Sequence, residues 1–181
     1  MNVQGIRNKT GEIIKDLEEL KQAITILTET KKKGKGVEIQ GPYLHFYSGV
    51  PKEKREKREV FILVKKRYIT TWEAVNENMI KVHTNLFGKK LSILGIYAIS
   101  DDENALVKED FLGKLNEVIV EIGNSSEILI AGDFNNRTGK KINNLVVRPY
   151  GEEAINDNGD RLTLWRWNFF FLILAHSVYK M

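Results

Sequence analysis

The order of apolar and polar residues along the chain predicts a mixture of helices and strands. Apolar residues recur with helical spacing in two segments, and these predict helices over residues 10–21 and 101–122. The acidic residues of 101–103 are placed in the first turn of the second helix, where negative charge favours the helix dipole. Gly123 is expected to end that helix.

Strands are predicted where short apolar or β-branched runs lie between polar and turn residues. The predicted strands are residues 23–27, the segment beginning near Tyr43, residues 60–64, 79–84 and 91–98, and the run around Ile128. The basic stretch 31–36 and the charged stretch 51–59 are predicted to be connections, and 156–161 a turn that caps a following helix. Because the elements do not alternate strictly, they predict a mixed α/β chain and not a doubly wound parallel sheet.

Composition places the chain among ordinary globular proteins. It has 181 residues, of which 42% are hydrophobic and 29% charged, enough for one domain with a sizeable core. It has no cysteine, which excludes disulfides and thiolate metal sites. The polar first ten residues and the short apolar run 169–175 indicate neither a signal peptide nor a membrane span. We therefore expect an intracellular protein of the nucleus or cytoplasm, not secreted, with no membrane partner and no obligate protein partner.

Polar side chains follow several predicted strands. Glu29 follows the first, Tyr97 closes the strand at 91–98, and Asp133 and Asn135 follow the run around Ile128. A carboxylate in such a position can hold Mg²⁺ or orient water, and asparagine and tyrosine can donate hydrogen bonds to phosphate oxygens. Simpler interpretations stay open: an Asx turn for Asp133 and Asn135, a solvated loop for Glu29, and a half-buried strand position for Tyr97.

Five stretches, taken in order, resemble one superfamily. They are NVQGIRNKTGEI from Asn2, ITILTET with Glu29, LGIYAIS with Tyr97, ILIAGDFNNRTG with Asp133 and GEEAINDNGDRL with Asp160. Together they resemble the endonuclease/exonuclease/phosphatase superfamily, in particular the endonuclease domain of non-LTR retrotransposons and craniofacial-development-protein-2-like proteins. The resemblance implies an α/β (α+β) fold, a four-layer sandwich of two packed mixed β-sheets flanked by helices, and Mg²⁺-dependent phosphodiester hydrolysis that nicks DNA.

The resemblance also assigns roles to individual residues. It implies that Glu29 is the Mg²⁺ ligand and that Asn2 supports the metal site. It implies that Tyr97 contacts the phosphate, that Asp133 positions or activates the water or leaving group, and that Asn135 binds the scissile phosphate.

The chain departs from the family pattern in its last part. The family motif Ser-Asp-His does not occur, and His176 lies in a sequence that does not resemble it. We therefore expect a domain over 1–164 that is incomplete at its C-terminus, followed by a divergent apolar tail over 165–181. Loss of the Asp-His pair removes a base and a donor, so the enzyme is expected to be impaired or inactive. His45 and His83 are interpreted as structural residues of strands.

A basic stretch follows Glu29 directly. Lys31, Lys32, Lys33 and Lys35 are predicted to contact DNA phosphates, the alternative being a solvated lysine loop. Other functions stay open: a non-catalytic nucleic-acid-binding remnant, a phosphoesterase for a small phosphorylated molecule, or the product of a decayed reading frame.

Overall fold

A computed structural model describes residues 10–28, 32–51, 53, 59–139, 153–166 and 172–175. Asn2, Glu29, Lys31 and His176, singled out above, lie outside the described residues, and the others lie within them. None of the helices in the described ranges is long and apolar enough to cross a membrane.

The described residues form three α-helices and nine strands. The elements are α1 Thr10–Glu19, β1 Ile24–Thr28, β2 Lys35–Gln40, β3 Tyr43–Gly49, β4 Glu59–Lys65, β5 Ile69–Asn76, β6 Met79–Leu86, β7 Lys89–Tyr97, α2 Ala105–Ile122, β8 Glu127–Asp133, α3 Asp157–Arg166 and β9 Leu172–Ala175. One sheet has the order β1-β4-β3-β2, and the other has the order β5-β6-β7-β8-β9.

The two sheets differ in strand direction. Every described pairing of the first sheet is antiparallel. In the second sheet β5, β6 and β7 form an antiparallel meander, and β8 and β9 then add in parallel. The predicted mixture of directions therefore holds for the second sheet, whereas the described strands of the first contain no parallel pair.

The buried side chains on the faces of the two sheets define the layers of the fold. Ile13 and Leu17 of α1 pack on the outer face of the first sheet, against Leu27 and Phe61. A second cluster lies between the sheets, and its buried residues are Phe46, Val60, Ile62, Val64, Tyr68, Ile80, Val82 and Ile93. A third cluster joins α2 and α3 to the outer face of the second sheet. The succession of helix, sheet, sheet and helices confirms the predicted four-layer sandwich.

Three predicted boundaries were wrong. Residues 101–103 precede α2, which begins after Asn104, whose side chain accepts a hydrogen bond from the Leu106 amide at 2.9 Å. The end of the basic stretch, Lys35 and Gly36, belongs to β2 and not to a loop. Residues 157–161, predicted as a turn, form the first half of α3.

Two observations relate the end of β1 in the first sheet to the end of β7 in the second sheet. Gly95 of β7 lies so close to Val60 and Ile62 of β4 that a Cβ atom at Gly95 would be 2.9–3.0 Å from their side chains. In the first sheet Val60 pairs with Thr28, the last residue of β1. The strands β1 and β7 therefore end at the same end of the sandwich.

The predicted apolar tail contributes structure to the second sheet. Leu172–Ala175 pairs in parallel with Leu129–Gly132 of β8, so β8 has a neighbour on each side. Helix α3 continues through Trp165, whose side chain is buried in the core. The division of the chain at residue 164 stays a prediction.

His45 should make the stability of the fold depend on pH. Its imidazole is 2% exposed, lies 4.6 Å from the Phe61 ring, and has no hydrogen-bond partner on either nitrogen within the described structure. Burial, aided by the charge of Lys32, lowers the pKa of His45 to about 4. The unfolded chain binds this proton below about pH 6.5 and the folded chain does not, so stability falls as the pH drops from about 6.5 to 4.

Replacement of His45 with phenylalanine is expected to remove roughly 3 kcal/mol of that acid destabilisation. The measurement is urea unfolding of both proteins at pH 7 and pH 4.5. An equal loss of stability in the two proteins would show that His45 does not cause it.

Candidate active site

Two of the predicted site residues lie side by side at one end of the second sheet. Tyr97 ends β7, Asp133 ends β8, and the two are register partners in a parallel pairing. The Ala98 amide donates to the carbonyl of Asp133 at 2.8 Å, which extends the pairing beyond the strands. Carboxyl ends of parallel strands meet at one edge, so both side chains are positioned by a rigid base.

Each residue of Gly132-Asp133-Phe134-Asn135 has a separate structural task. Gly132 has φ +152°, and a Cβ atom there would be 1.9 Å from the backbone oxygen of Ile96. Asp133 is 8% exposed, and Phe134 is buried under α2 and α3. The stretch thus brings β8 very close to β7, holds the carboxylate in place and anchors the following chain in the core.

Asn135 is fixed in the left-handed region by its neighbours. It has φ +47°, which asparagine tolerates better than most residues, and its amide donates to Asp133 Oδ1 at 2.9 Å. The Asx turn that was the simpler interpretation is therefore present. It does not exclude a role in binding, because Asn135 Nδ2 donates one hydrogen to the Ala98 carbonyl at 2.7 Å and retains a second.

Tyr97 is held through its backbone. Its amide donates to the carbonyl of Asn78 at 2.9 Å, and Asn78 Nδ2 donates to the carbonyl of Tyr97 at 2.7 Å. Asn78 is itself 5% exposed and donates its amide to Asn76 Oδ1 at 2.8 Å. The side chain of Tyr97 packs at the edge of the cluster between the sheets.

Two asparagines of the NDNG stretch support the site, and sequence reasoning missed them. Asn158 Nδ2 donates to the carbonyl of Ile99 at 2.8 Å and to that of Asn135 at 3.1 Å. Asn156 Nδ2 donates to the same Asn135 carbonyl at 3.0 Å, and its Oδ1 accepts from the Arg137 amide at 2.7 Å. The N-terminus of α3 therefore holds the loop that carries Asn135. The available signal was the second asparagine, which an ordinary capped turn does not require.

Asn158→Asp is expected to destabilise the protein by about 3 kcal/mol, because a carboxylate would then face two carbonyl oxygens at a 9% exposed position. Urea unfolding at pH 7 measures the change. Asn124→Asp, at an exposed position after α2, is the matched control and should change stability by less than about 0.5 kcal/mol. Equal effects of the two substitutions would contradict the proposed support by Asn158.

A buried lysine connects α2 to the same supports. Lys108 is 5% exposed and donates to the Asp101 carbonyl at 2.6 Å and to Asp157 Oδ2 at 2.9 Å. Hydrogen bonds from Arg161 and, to a smaller extent, Lys108 hold the pKa of Asp157 below its ordinary value. Asp101 Oδ1 also accepts from the Asn158 amide at 3.0 Å, so Asp101, predicted to lie in the first turn of α2, instead links α2 to α3.

The lysines predicted to contact DNA lie in different environments. Lys32 forms an ion pair with Glu38, lies 4.1 Å from the Tyr47 ring centroid, and donates its amide to Glu59 at 2.9 Å. Lys33 is half-buried, and Lys35 is exposed at the start of β2. The charge of Lys32 is therefore largely balanced within the protein, and Lys35 is the most open of the three described lysines.

The described donor set fits part of a Mg²⁺ site. Mg²⁺ takes oxygen ligands, commonly one or two carboxylates together with water and phosphate. Asp133 supplies one carboxylate at the end of β8. Strand β1 ends at the same end of the sandwich, and Glu29 follows β1 directly in the sequence. Within the described residues no group of three or more His, Cys, Asp or Glu side chains could hold a metal.

Comparison with known proteins gives structural matches only. No family model matches the chain. No curated protein matches its sequence either.

Several solved structures share the fold at low sequence identity. The endonuclease domain of TRAS1, a telomere-specific non-LTR retrotransposon, aligns with TM-score 0.64 and 18% identity over 93% of this chain and 69% of its own length. The AP endonuclease LMAP from Leishmania major aligns with TM-score 0.55 and 13% identity over 90% of this chain and 62% of its own. An endonuclease/exonuclease/phosphatase family protein from Leptotrichia buccalis gives 0.52 and 12%, over 75% and 65% respectively.

The chain thus spans roughly two thirds of each of these three structures. Their likeness confirms the fold that the sequence resemblance implied. The chain has the α/β sandwich fold of these solved structures, which include the endonuclease domain of a non-LTR retrotransposon.

Proposed function

We propose that this chain carries a Mg²⁺-dependent phosphodiester-hydrolysing site of the DNA endonuclease type, of retroelement origin. The observation that carries the proposal is the register pairing of Tyr97 with Asp133 at the ends of adjacent parallel strands. Asn135, two residues further on, is fixed by the Asp133 carboxylate itself. A carboxylate, a phenol and a carboxamide are thereby gathered at one end of a nuclease-like fold.

Glu29 would hold the metal ion, with Asn2 in support and the Asp133 carboxylate nearby. When bound, Mg²⁺ would polarise a phosphoryl oxygen and stabilise the leaving oxygen. The support for Glu29 is indirect: Thr28, its predecessor, is 3% exposed and ends β1 at the end of the sandwich that also holds Tyr97.

The protein groups would position and orient the phosphodiester. The Tyr97 hydroxyl and the second Asn135 Nδ2 hydrogen are donors suited to non-bridging phosphate oxygens. The Asp133 carboxylate would accept a proton from, and so orient, the attacking water. Its low exposure favours this role, because a carboxylate shielded from bulk water interacts more strongly with a nearby proton donor.

The rate is proposed to be low. The described site contains no imidazole, since His45 lies on the outer face of the first sheet and His83 bonds to Ser92 Oγ at 2.7 Å. Without such a group as base or donor, a loss of roughly 10²–10⁴-fold is expected relative to a complete site.

Nicking of supercoiled plasmid by the purified chain tests the proposal. Slow conversion to open circles in Mg²⁺, abolished by EDTA and restored by added Mg²⁺, is the expected result. A folded protein that binds the plasmid and never nicks it would instead support the alternative, a non-catalytic nucleic-acid-binding remnant. A small phosphomonoester such as p-nitrophenyl phosphate serves as the control substrate and should not be hydrolysed.

A further inference from the structure

We propose that the opposite end of the sandwich binds an unpaired nucleic-acid strand through a basic-aromatic patch. The patch consists of Lys65, Lys66, Arg67, Phe87 and Lys89. This proposal goes beyond the proposed hydrolysis and does not rest on it, because the two surfaces share no residue.

The patch is remote from Tyr97. Strand β7 begins at Lys89 and ends at Tyr97. With about 3.4 Å per residue in an antiparallel strand, these ends are about 27 Å apart. Lys65 closes β4 at the same remote end, where its amide donates to the Ala23 carbonyl at 3.0 Å before β1 begins.

Contacts through Tyr68 connect the basic residues 65–67 to Phe87, and Lys89 follows Phe87 in the chain after one glycine. Lys65, Lys66 and Arg67 line a shallow groove beside Pro42 and Glu18. The Arg67 guanidinium lies 4.7 Å from the Tyr68 ring centroid and donates to its hydroxyl at 2.7 Å.

The contacts continue from this groove to the hairpin between β6 and β7. Tyr68, which is buried, lies 5.6 Å from the Phe87 ring. A single glycine separates Phe87 from Lys89. Lys89 lies on the same face of β7 as Leu91 and Ile93, and this face is turned toward the first sheet.

The exposure and the backbone conformation of Phe87 indicate that its ring contacts a molecule outside the chain. Its side chain is 84% exposed, more than any other large hydrophobic side chain in the described structure. It occupies the first position of a two-residue hairpin turn with φ +53°, followed by Gly88 with φ +85°. Such turns favour Asn-Gly, and an aromatic residue gains no burial here to offset its strained backbone. Folding alone does not account for a phenylalanine at this position.

The positive charges of the patch are not balanced by ion pairs. Within the described residues, none of Lys65, Lys66, Arg67 and Lys89 makes a salt bridge with a carboxylate. By contrast, buried or partly buried Lys32, Lys81 and Lys108 are each paired. Four cations of the patch are thus left for an external anion beside the exposed ring.

An exposed ring surrounded by cations matches the chemistry of an unpaired strand. A base can stack on the ring, and the adjacent phosphates can contact the lysines and the arginine. In a duplex the bases already stack on each other, so Phe87 would have to separate them before it could contribute. The patch is therefore assigned to single-stranded nucleic acid.

Fluorescence anisotropy with labelled oligo-dT and oligo-rU measures the binding and compares single-stranded DNA with single-stranded RNA. Phe87→Asn is the central variant, because asparagine suits the turn and should leave the melting temperature unchanged or higher. It is expected to weaken binding about 5- to 100-fold, as the loss of one stacked base would. Lys89→Glu should weaken binding and reduce its salt dependence, whereas Lys90→Glu, on the opposite face of β7, is the matched control with a small effect.

Unchanged binding by Phe87→Asn, or equal loss for Lys89→Glu and Lys90→Glu, would overturn the proposal. So would a duplex of the same length that binds as tightly as the single strand. Asp133→Asn should bind the oligonucleotides normally, so failure of the proposed hydrolysis and failure of this patch are distinguishable.

Discussion

Gly132→Ala is expected to destabilise the protein by roughly 3 kcal/mol, because an added Cβ atom has no room between β8 and β7. The atom would lie 1.9 Å from the Ile96 carbonyl oxygen and 2.8 Å from the carbonyl carbon, both of them backbone. The clash cannot be relieved by a rotamer change, so the strands must separate where Tyr97 pairs with Asp133. The same substitution should therefore also disorganise the site.

Urea unfolding of Gly132→Ala measures this effect. Gly113→Ala is the matched control, since Gly113 is exposed on α2 and its added Cβ would meet nothing within 4 Å. Alanine there should stabilise the helix by up to about 1 kcal/mol. A Gly132→Ala protein as stable as the wild type would mean that β7 and β8 are not as close as described.

Asp133→Asn is expected to reduce plasmid nicking by at least 10²-fold while the fold is retained. Asparagine has nearly the same shape, and its Oδ1 can still accept the Asn135 amide that Asp133 Oδ1 accepts at 2.9 Å. What it removes is the negative charge, and with it the ability to bind Mg²⁺ strongly or accept a proton.

Initial nicking rates and thermal melting curves of the two proteins measure this prediction together. Asp110→Asn, an exposed carboxylate on α2, controls for the change in net charge and should nick normally. If Asp133→Asn nicks as fast as the wild type, Asp133 has no catalytic part and the proposed site is wrong.

The sequence predicted the central strands well because strands that are buried on both faces consist almost entirely of apolar residues. Strand β4 is apolar over Val60–Val64 and is buried on both faces, so a continuous run was sufficient to identify it. The stripe of α2 was equally clear, and its end at Gly123 coincides with the observed C-cap. For these elements, the pattern and the packing have the same physical cause.

Three strands were missed, β2, β5 and β9, and each lies at an open edge of its sheet in the described structure. In β2 the apolar residues Val37 and Ile39 are 43% and 71% exposed, whereas the polar residues Glu38 and Gln40 are half-buried. An edge strand has fewer neighbours to cover its faces, so its sequence carries little of the usual alternation.

The candidate site could be predicted only in part. Asp133, Asn135 and Tyr97 were found because they occur in recognisable stretches at strand ends, and the structure places Tyr97 beside Asp133. Asn158 was not found, because its function is to bond two carbonyls that are distant in sequence. Such a role depends on the tertiary fold, so the second asparagine of the stretch could signal a support but not the carbonyls that it bonds. The roles of Glu29 and Asn2 stay predictions.

The chain order of the strands has a consequence for how this protein folds. Residues 69–97 contain β5, β6 and β7, which pair in sequence order as two hairpins, so this block requires only short loop closures. Strand β1, by contrast, must pair with β4 across all of β2 and β3. We expect the 69–97 block to form early, and β1 and β8 to dock later, because β8 must reach β7 across α2. Amide exchange should then be slow in β6 and faster in β1. Tyr97 at the end of β7 would then be in place before Asp133 and the end of β1 reach it, and these later pairings would complete the site.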